Sequence, residues 1–480
     1  MTAIPTACLI GALTAFGFAR ADQVMDESDV GLTWSVHHTA PPRLYSQDGY
    51  QYVLYYDADR FLQLAQRRLD SDVWGHHRFP VQTRWATGGH AKVSLVVDGD
   101  GHVHVAAYRR DLSEQPPDPP ATIYYRTARP HDLGTLERSH MVAPDEPNPG
   151  YPEFIEGADG TLFFEYRIGG SGRGSQRWNV YHPGTRTWEA LPVMLDGQNQ
   201  RSAYGGPRLG PDGRWHCSWV WRETPAAETT NIVAYMRSDD LVHWENADGE
   251  PLTLPITRAN SRVVVDPVEP RQGLINSVRV MGWDSRSRPV ISYHKYDQQG
   301  HSQIYNARHE AGGWRIVQAT DWDFRWDFGG GGAIGRQVDV RPVQPAPGGR
   351  LLQQVLARKD GRGWSRVVLD EATLAPVDEP PPDGAPPGAC APSWQQELDQ
   401  PEVDFPQRPM NVLWIGDQGQ GAPAGTSYWL RWEIGPVNER DQPVPKPWPD
   451  PTTLRVYKIG RAMASGEHTD GWFSFGGFPQ

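Results

Sequence analysis

Ionisable side chains stand at both ends of one hairpin-like stretch, residues 88–110, GGHAKVSLVVDGDGHVHVAAYRR. His90 carries an imidazole with an unperturbed pKa near neutrality, so it could donate or accept a proton. Arg110 carries a lasting positive charge that suits it to bind a carboxylate. An Asp-Gly turn joins two predicted strands, Lys92–Val97 and His102–Tyr108. Because antiparallel neighbours place the start of one strand beside the end of the next, we interpret that sheet edge as the active-site face.

The composition indicates an all-β protein. The chain has 480 residues with 50 Gly, 44 Pro and 20 Trp, and it lacks long helical patterns, which predicts many tight turns and many buried aromatic rings. Its net charge of −12 argues against a nucleic-acid partner, since phosphate binding needs a basic face. The charge does not exclude an acidic sugar, because a few local arginines can bind a carboxylate inside an acidic protein.

The first 21 residues, MTAIPTACLIGALTAFGFARA, are apolar and end in an Ala-Arg-Ala site. This pattern predicts a secretory signal and a secreted or periplasmic protein, although the basic start of such signals is missing and a first strand remains the alternative. No other stretch is long enough to cross a membrane, so no membrane partner is expected. Residues 22–480 are then predicted to form a single catalytic domain. The three cysteines exclude a disulfide framework and a Cys-based zinc site.

A repeated motif governs the rest of the chain: a Gly- or Asp-containing turn followed by an alternating, aromatic-rich strand. It recurs at a spacing of roughly 50 to 75 residues, the size of a four-stranded unit with loops. The seven copies begin at Asp48, Asp98, Gly157, Gly210, Asp284, Pro347 and Gly421. They predict a seven-bladed β-propeller of four-stranded antiparallel blades, closed by pairing a strand near Gly31–His38 with one near Thr453–Gly460. Four tryptophans follow the third strand of their repeats, and we interpret them as residues that pack the blades rather than bind a ligand: Trp74, Trp188, Trp244 and Trp314.

Several stretches together resemble the BNR-4 propeller family of ulvan lyases, rhamnose–glucuronate lyases and related α-L-rhamnosidases. They include GGHAKVSLVVDGDGHVHV, YPEFIEGADGTLFFEYRIGGSGRG, LGPDGRWHCSWVWRETP and DFRWDFGGGG, and the resemblance runs from about Gln51 to Gly332. It implies a carbon–oxygen lyase acting on a polysaccharide by β-elimination next to a glucuronate, at a rhamnosyl–glucuronate linkage. Such a lyase needs a cation for the sugar carboxylate, a base for the C5 proton and an acid for O4.

The resemblance assigns catalytic roles to four residues. His90 matches the first catalytic histidine of the family, and Tyr151 in Tyr-Pro-Glu-Phe matches its tyrosine, a phenol that neighbouring cations can help to ionise. Arg110 is a departure, because the family has a second histidine there. An arginine is a poor base, so Arg110 would serve as a carboxylate clamp. Arg167 ends a strand before a Gly-rich turn and is predicted to bind the uronate carboxylate through a bidentate pair.

Four further residues are predicted to bind substrate. Tyr204 and Arg325 match family positions near the sugar, whereas Arg222 and His294 either line the central funnel or form hydrogen bonds between blades. No cofactor is required for this chemistry. Some family members hold a structural metal, but no ligand set can be assigned in this sequence, which lacks a recognisable zinc spacing.

Two alternatives remain open. A rhamnosidase-like hydrolase would look to a histidine on the opposite face, where the matching stretch here carries Gln47. A non-catalytic propeller that binds acidic carbohydrate would explain the arginine at position 110.

Overall fold

The computed structural model describes residues 22–35, 40–82, 92–108, 122–141, 150–332, 334–359, 361–382, 393–405, 409–435 and 447–460. These residues form seven antiparallel β-sheets, one short helix, Ser393–Leu398, and three single 3-10 turns. No helix within the described ranges has the length and apolar character needed to cross a bilayer. The all-β expectation is therefore confirmed, and the arrangement is propeller-like.

Five sheets have four strands in the described residues, and we number the sheets in chain order by their first hairpin. Sheet 1 contains β2 (Arg43–Gln47), β3 (Tyr50–Tyr56), β4 (Phe61–Arg68) and β5 (Gly75–Gln82). Sheet 2 contains β6 (Val93–Val97), β7 (Val103–Tyr108), β8 (Thr122–Thr127) and β9 (Leu136–Ser139). Sheet 3 contains β10 (Gly150–Glu156), β11 (Leu162–Gly170), β12 (Arg173–His182) and β13 (Thr187–Ala190). Sheet 5 contains β20 (Arg279–Trp283), β21 (Pro289–Tyr296), β22 (Ser302–Glu310) and β23 (Gly313–Gln318).

Sheet 7 joins segments from the two ends of the described chain. It contains β1 (Gln23–Thr33), β29 (Asn411–Gly416), β30 (Thr426–Ile434) and β31 (Thr452–Gly460). The first strand pairs antiparallel with the last, with Gly31 opposite Leu454. The predicted pairing is confirmed, although β1 begins earlier than Gly31 and ends at Thr33.

Two sheets depart from the four-stranded expectation. Sheet 4 has six strands: β14 (Ser202–Leu209), β15 (Trp215–Arg222), β16 (Thr230–Ser238), β17 (Trp244–Glu245), β18 (Pro251–Leu252) and β19 (Val264–Asp266). Sheet 6 has five: β24 (Val338–Val340), β25 (Gln344–Ala346), β26 (Arg350–Ala357), β27 (Gly363–Asp370) and β28 (Pro376–Val377). The added strands are two or three residues long, too short to produce an alternating pattern in the sequence.

Each of the seven predicted turns joins two strands that pair as a hairpin, because the turn chemistry is local. At the second turn, for example, a carboxylate oxygen of Asp98 accepts hydrogen bonds from the backbone N–H groups of Asp100 and His102. Gly101 closes that turn with a φ of +82°, which glycine adopts without strain.

In every sheet, more than half of the residues in the strand after the turn are buried. Every residue of β15, sequence WHCSWVWR, is buried. The four tryptophans predicted to pack between sheets do so. Trp244 is a member of a hydrophobic core cluster, and three others pack against such clusters: Trp74, Trp188 and Trp314. These contacts fix the sheets against each other and hold the strand ends that build the site below.

Candidate active site

Tyr151 and Arg167 meet because of an irregular pairing of β10 with β11. Gly150 lies opposite Arg167, and the register shifts between Gly150 and Glu153. Tyr151 lies in this bulge with a φ of +59°, a left-handed conformation that residues with a side chain rarely adopt. The guanidinium carbon of Arg167 is 4.4 Å from the centre of the Tyr151 ring. A bulge of this kind re-aims a side chain, and here it places the phenol beside a cation.

A second tyrosine lies close to this arginine. Tyr204, near the start of β14, has its ring centre 5.8 Å from the Arg167 guanidinium carbon. Its hydroxyl is 2.9 Å from the hydroxyl of Ser171, at the turn between β11 and β12. Sequence reasoning missed Ser171, although it belongs to the Gly-Gly-Ser-Gly stretch that follows Arg167.

Arg167 holds a charge that no carboxylate balances within the described ranges. Its Nε is buried and has no hydrogen-bond partner there, and the residue takes part in no ion pair among the described side chains. Leaving a buried donor unpaired costs roughly 1–3 kcal/mol. An arginine held this way close to two aromatic rings can bind a carboxylate through two parallel hydrogen bonds.

Arg222 borders the same group from the end of β15. Its guanidinium carbon is 5.5 Å from the Tyr204 ring centre, but the side chain is only 7% exposed. Its guanidinium donates to the backbone carbonyls of Ala226, at 3.2 Å, and Pro225. Burial lowers the pKa of Arg222, and the neighbouring Tyr204 opposes that shift. These hydrogen bonds hold the loop that follows β15 in the same sheet, so they are not the hydrogen bonds between blades that were one of its two predicted roles.

The hairpin that suggested the site is present as β6 and β7. Lys92 and Tyr108 lie side by side at the end of this hairpin opposite the turn, because the Tyr108 backbone N–H donates to the Lys92 carbonyl at 2.8 Å. The Tyr108 ring stacks on Tyr151 with ring centres 6.3 Å apart. The Lys92 ammonium is 5.3 Å from the Tyr151 ring centre. Neither residue was predicted to be functional, although their positions at the two ends of the hairpin were a usable signal.

His90 and Arg110 lie outside the described residues. Each is two residues beyond the paired Lys92 and Tyr108 along the sequence. Their predicted roles therefore stay predictions.

Arg325 and His294 contact a different part of the fold, in and beside sheet 5. Arg325 is exposed, donates to Asp327 at 2.6 Å and to the Gly300 carbonyl at 3.0 Å, and lies 3.7 Å over the Tyr296 ring. His294 is 0% exposed, and its Nδ1 is 2.5 Å from the Gly273 carbonyl oxygen. Burial lowers the pKa of His294 to about 4, so the ring is neutral near pH 7. Its side chain is not open to a substrate in this conformation, in contrast to the expectation that it could line a funnel.

Lys92 contacts Tyr151 and also interacts with four other ionisable side chains, and we call these five residues the charge cluster: Arg43, Lys92, Glu153, Glu165 and Arg208. Burial would raise the pKa of Glu153, but Arg208, Lys92 and Arg43 together hold it below its usual value. Burial raises the pKa of Glu165 to about 7 against the opposing effect of Arg208. The total charge of this cluster can therefore change near neutral pH.

No group of three or more His, Cys, Asp or Glu side chains within the described ranges could hold a metal ion. The structural metal that the family resemblance suggested therefore stays a prediction without assigned ligands.

Gly205 follows Tyr204, and we expect Gly205→Ala to lower the free energy of unfolding by about 1–3 kcal/mol and to displace Tyr204. Its φ is +139°, and an added Cβ would come within 2.2 Å of the Ser218 carbonyl oxygen. Urea unfolding measures the loss. The matched control is Gly213→Ala, where φ is +78° and nothing lies within 4 Å of the added Cβ. Equal losses in both variants would contradict the steric explanation.

The sequence model of the BNR_4 family, described as a BNR repeat-containing family member, matches residues 50–322. An ulvan lyase, long isoform, of Pseudoalteromonas sp. (strain PLSV) is 28% identical over 131 residues, covering 24% of this chain and 13% of that protein. The corresponding protein of Alteromonas sp. (strain LOR) is 27% identical over the same length and with the same coverage. The matched stretch is thus a small part of these curated relatives.

Solved structures agree with the fold over nearly the whole chain. A polysaccharide lyase PL25, an ulvan lyase, superposes with a TM-score of 0.53 and 14% identity, covering 90% of this chain and 94% of that chain. A structure of that lyase bound to -[GlcA(1-4)Rha3S]- gives a TM-score of 0.52 at the same identity and coverage. At this identity the similarity shows a shared fold.

Proposed function

Because the chain belongs to the BNR_4 family of BNR repeat-containing proteins, we propose that it is a polysaccharide lyase. The proposed reaction is β-elimination next to a glucuronate, at a rhamnosyl–glucuronate linkage of an acidic polysaccharide. One observation carries the proposal: Arg167 lies over the rings of both Tyr151 and Tyr204 and forms no ion pair with a carboxylate in the described part of the chain. The ulvan lyases among the relatives supply the substrate class.

In the proposed mechanism, the Arg167 guanidinium binds the C6 carboxylate and draws electron density from C5. The Tyr151 oxygen takes the C5 proton, and the electron pair of the broken C–H bond forms the C4–C5 double bond. The C4–O4 bond breaks, and O4 leaves with a proton from an acid, the role that the sequence assigns to His90. Arg110 would add a second cation for the carboxylate. The elimination is redox-neutral and needs no cofactor.

We propose a closed seven-bladed propeller as the fold that presents this site. Seven sheets in the described residues and the pairing of β1 with β31 support this arrangement. In this arrangement the site lies at one edge of sheets 2, 3 and 4. In each of these sheets, that edge is where the first hairpin strand begins and the second one ends. Secretion or export to the periplasm remains part of the proposal, since an extracellular polymer must be reached.

A direct test is to follow the ultraviolet absorbance of the unsaturated uronate while purified protein is incubated with ulvan and with gum arabic. We expect absorbance to rise, and Arg167→Ala to slow the rise by about 10²-fold or more, because the carboxylate loses its counter-charge. Arg68→Ala is the matched control, since Arg68 is exposed and bound to Asp70 in sheet 1. A rise that is unaffected by loss of Arg167 would remove Arg167 from the reaction.

A second candidate function is binding of an acidic carbohydrate without cleavage. The substitution of the family's second histidine by Arg110 favours it. Binding of glucuronate oligosaccharide in calorimetry, with no unsaturated product and no free rhamnose, would select it. Release of rhamnose without the absorbance of an unsaturated uronate would instead select a rhamnosidase-like hydrolase. That branch of the family uses a histidine at the position where this chain has Gln47.

A further inference from the structure

Lys92 contacts the tyrosine of the site from a position that the chain fixes firmly. It directly precedes β6, and its backbone carbonyl accepts the hydrogen bond from the Tyr108 N–H. The side chain is half-buried, and its ammonium lies 5.3 Å from the Tyr151 ring centre, within the range of a cation–π contact. Tyr151 thus has two cations close to its ring, Lys92 and Arg167.

The surroundings of this ammonium make its burial costly. Burial lowers the pKa of Lys92, with Glu153 and Glu165 opposing the shift and Arg43 and Arg208 adding to it. These four groups come from four different strands: β2, β10, β11 and β14. An ammonium placed next to two guanidinium groups weakens the stability of the fold unless nearby carboxylates compensate. Such an arrangement in contact with a tyrosine of the candidate site suggests a functional use of the charge.

The two cations would not be equivalent once a substrate is bound. In the proposed mechanism the sugar carboxylate forms an ion pair with Arg167, which offsets the positive charge beside the phenol. Lys92 faces Glu153 and Glu165 within the protein, so its charge is not the one that the sugar would neutralise. A site that relies on an ionised tyrosine therefore needs a cation other than the one that binds the substrate.

We propose that Lys92 is this second cation: it stabilises the deprotonated form of Tyr151 and so prepares the phenol oxygen to accept the C5 proton. Lys92 is a positioning residue in this role, since it acts through Tyr151. The assignment rests on the proposed lyase function for its purpose, but the effect on Tyr151 exists without substrate. It can therefore be measured whether or not the protein cleaves a polymer.

The test is a tyrosinate absorbance titration of the full chain, with each curve subtracted from that of the same protein carrying Tyr151→Phe. The difference reports the ionisation of Tyr151. Lys92→Met should move the midpoint upward by about one pH unit, as expected for loss of a cation at this distance in a partly polar site. Lys92→Arg should leave it near the wild-type value, because the charge is kept.

A matched control is Arg68→Met. Arg68 lies 5.5 Å over the Tyr50 ring, a similar contact on an exposed side chain in sheet 1, and its loss should leave the Tyr151 difference curve unchanged. If Lys92→Met does not fold, Lys92→Gln replaces it. An unchanged Tyr151 midpoint in the folded Lys92 variant would overturn the assignment.

The same variants separate this assignment from the lyase proposal. If the chain is a lyase, the acidic limb of the kcat/KM profile should move upward in Lys92→Met with the titration midpoint, since the base must be deprotonated. Absence of lyase activity in every variant, with the midpoint still shifted, would reject the lyase and keep Lys92 as the cation that sets the ionisation of Tyr151.

Discussion

Tyr151→Phe should lower kcat/KM for elimination by about 10²- to 10⁴-fold, the usual range for loss of a proton-transferring group. The substitution removes one oxygen and keeps the ring, so the contact with Arg167 at 4.4 Å and the stacking on Tyr108 should persist. KM should change little, because binding of the carboxylate by Arg167 is retained. Steady-state kinetics on the polymer, followed by ultraviolet absorbance, measure both constants.

The control for this variant is Tyr50→Phe. Tyr50 is also a tyrosine with an arginine over its ring, but it belongs to the turn end of β3, where it stacks on His131. Its loss should leave kcat/KM within a factor of about two. A Tyr151→Phe enzyme with unchanged kcat/KM would show that another group takes the C5 proton, and His90 would then become the leading base.

Local chemistry explains which parts of the fold the sequence could predict. The turns at Asp98 and Gly157 were visible because Asp and Gly satisfy a turn through their own backbone and side-chain geometry. Pairing of β1 with β31 was predictable from alternation and from the need to protect sheet edges. The short strands β17, β18 and β19 of sheet 4 were not, since a strand of two or three residues has no period.

The site was predictable only in part. The structure brings three of the predicted residues together, because the Arg167 guanidinium carbon lies 4.4 Å from the Tyr151 ring centre and 5.8 Å from the Tyr204 ring centre. Their roles stay predictions. His294 had two predicted roles, lining the funnel or forming a hydrogen bond between blades. Its buried imidazole instead contacts the carbonyl of Gly273 in a preceding loop, a partner that the sequence pattern does not identify. The charge cluster was also missed, because its members are brought together by packing between sheets and follow no pattern along the sequence.

The charge cluster leads to the second large effect, a pH dependence of stability that Glu165→Gln should remove. Burial raises the pKa of Glu165 from 4.5 to about 7 in the folded protein. Its carboxylate is only 9% exposed, whereas the Arg208 side chain 3.5 Å away is 51% exposed, so solvent screens the attraction and burial prevails. Gln176 donates to the Glu165 carboxyl group at 3.0 Å and would do the same for the amide oxygen of a glutamine.

The sign follows from proton uptake. Between pH 4.5 and about 7 the folded state holds the Glu165 proton and the unfolded state releases it, so this contribution to stability is complete below pH 4.5 and is lost as pH rises through 7. The free energy of unfolding should therefore fall by about 3 kcal/mol across this interval because of this group. Urea unfolding at several pH values should show that Glu165→Gln gains stability relative to the wild type as pH rises. A constant difference from pH 4 to 8 would mean that Glu165 titrates normally.

Ionisation of Glu165 should also change the affinity of the site for an acidic sugar. Glu165 is two residues before Arg167 on β11, so the two side chains leave the strand on the same side. When Glu165 ionises, its negative charge offsets the positive potential that attracts a uronate. Affinity for an acidic oligosaccharide should then weaken from pH 6 to 8 in the wild type and stay nearly constant in Glu165→Gln, as measured by calorimetry. Parallel pH dependences in the two proteins would place the controlling group elsewhere, with His90 the first to examine.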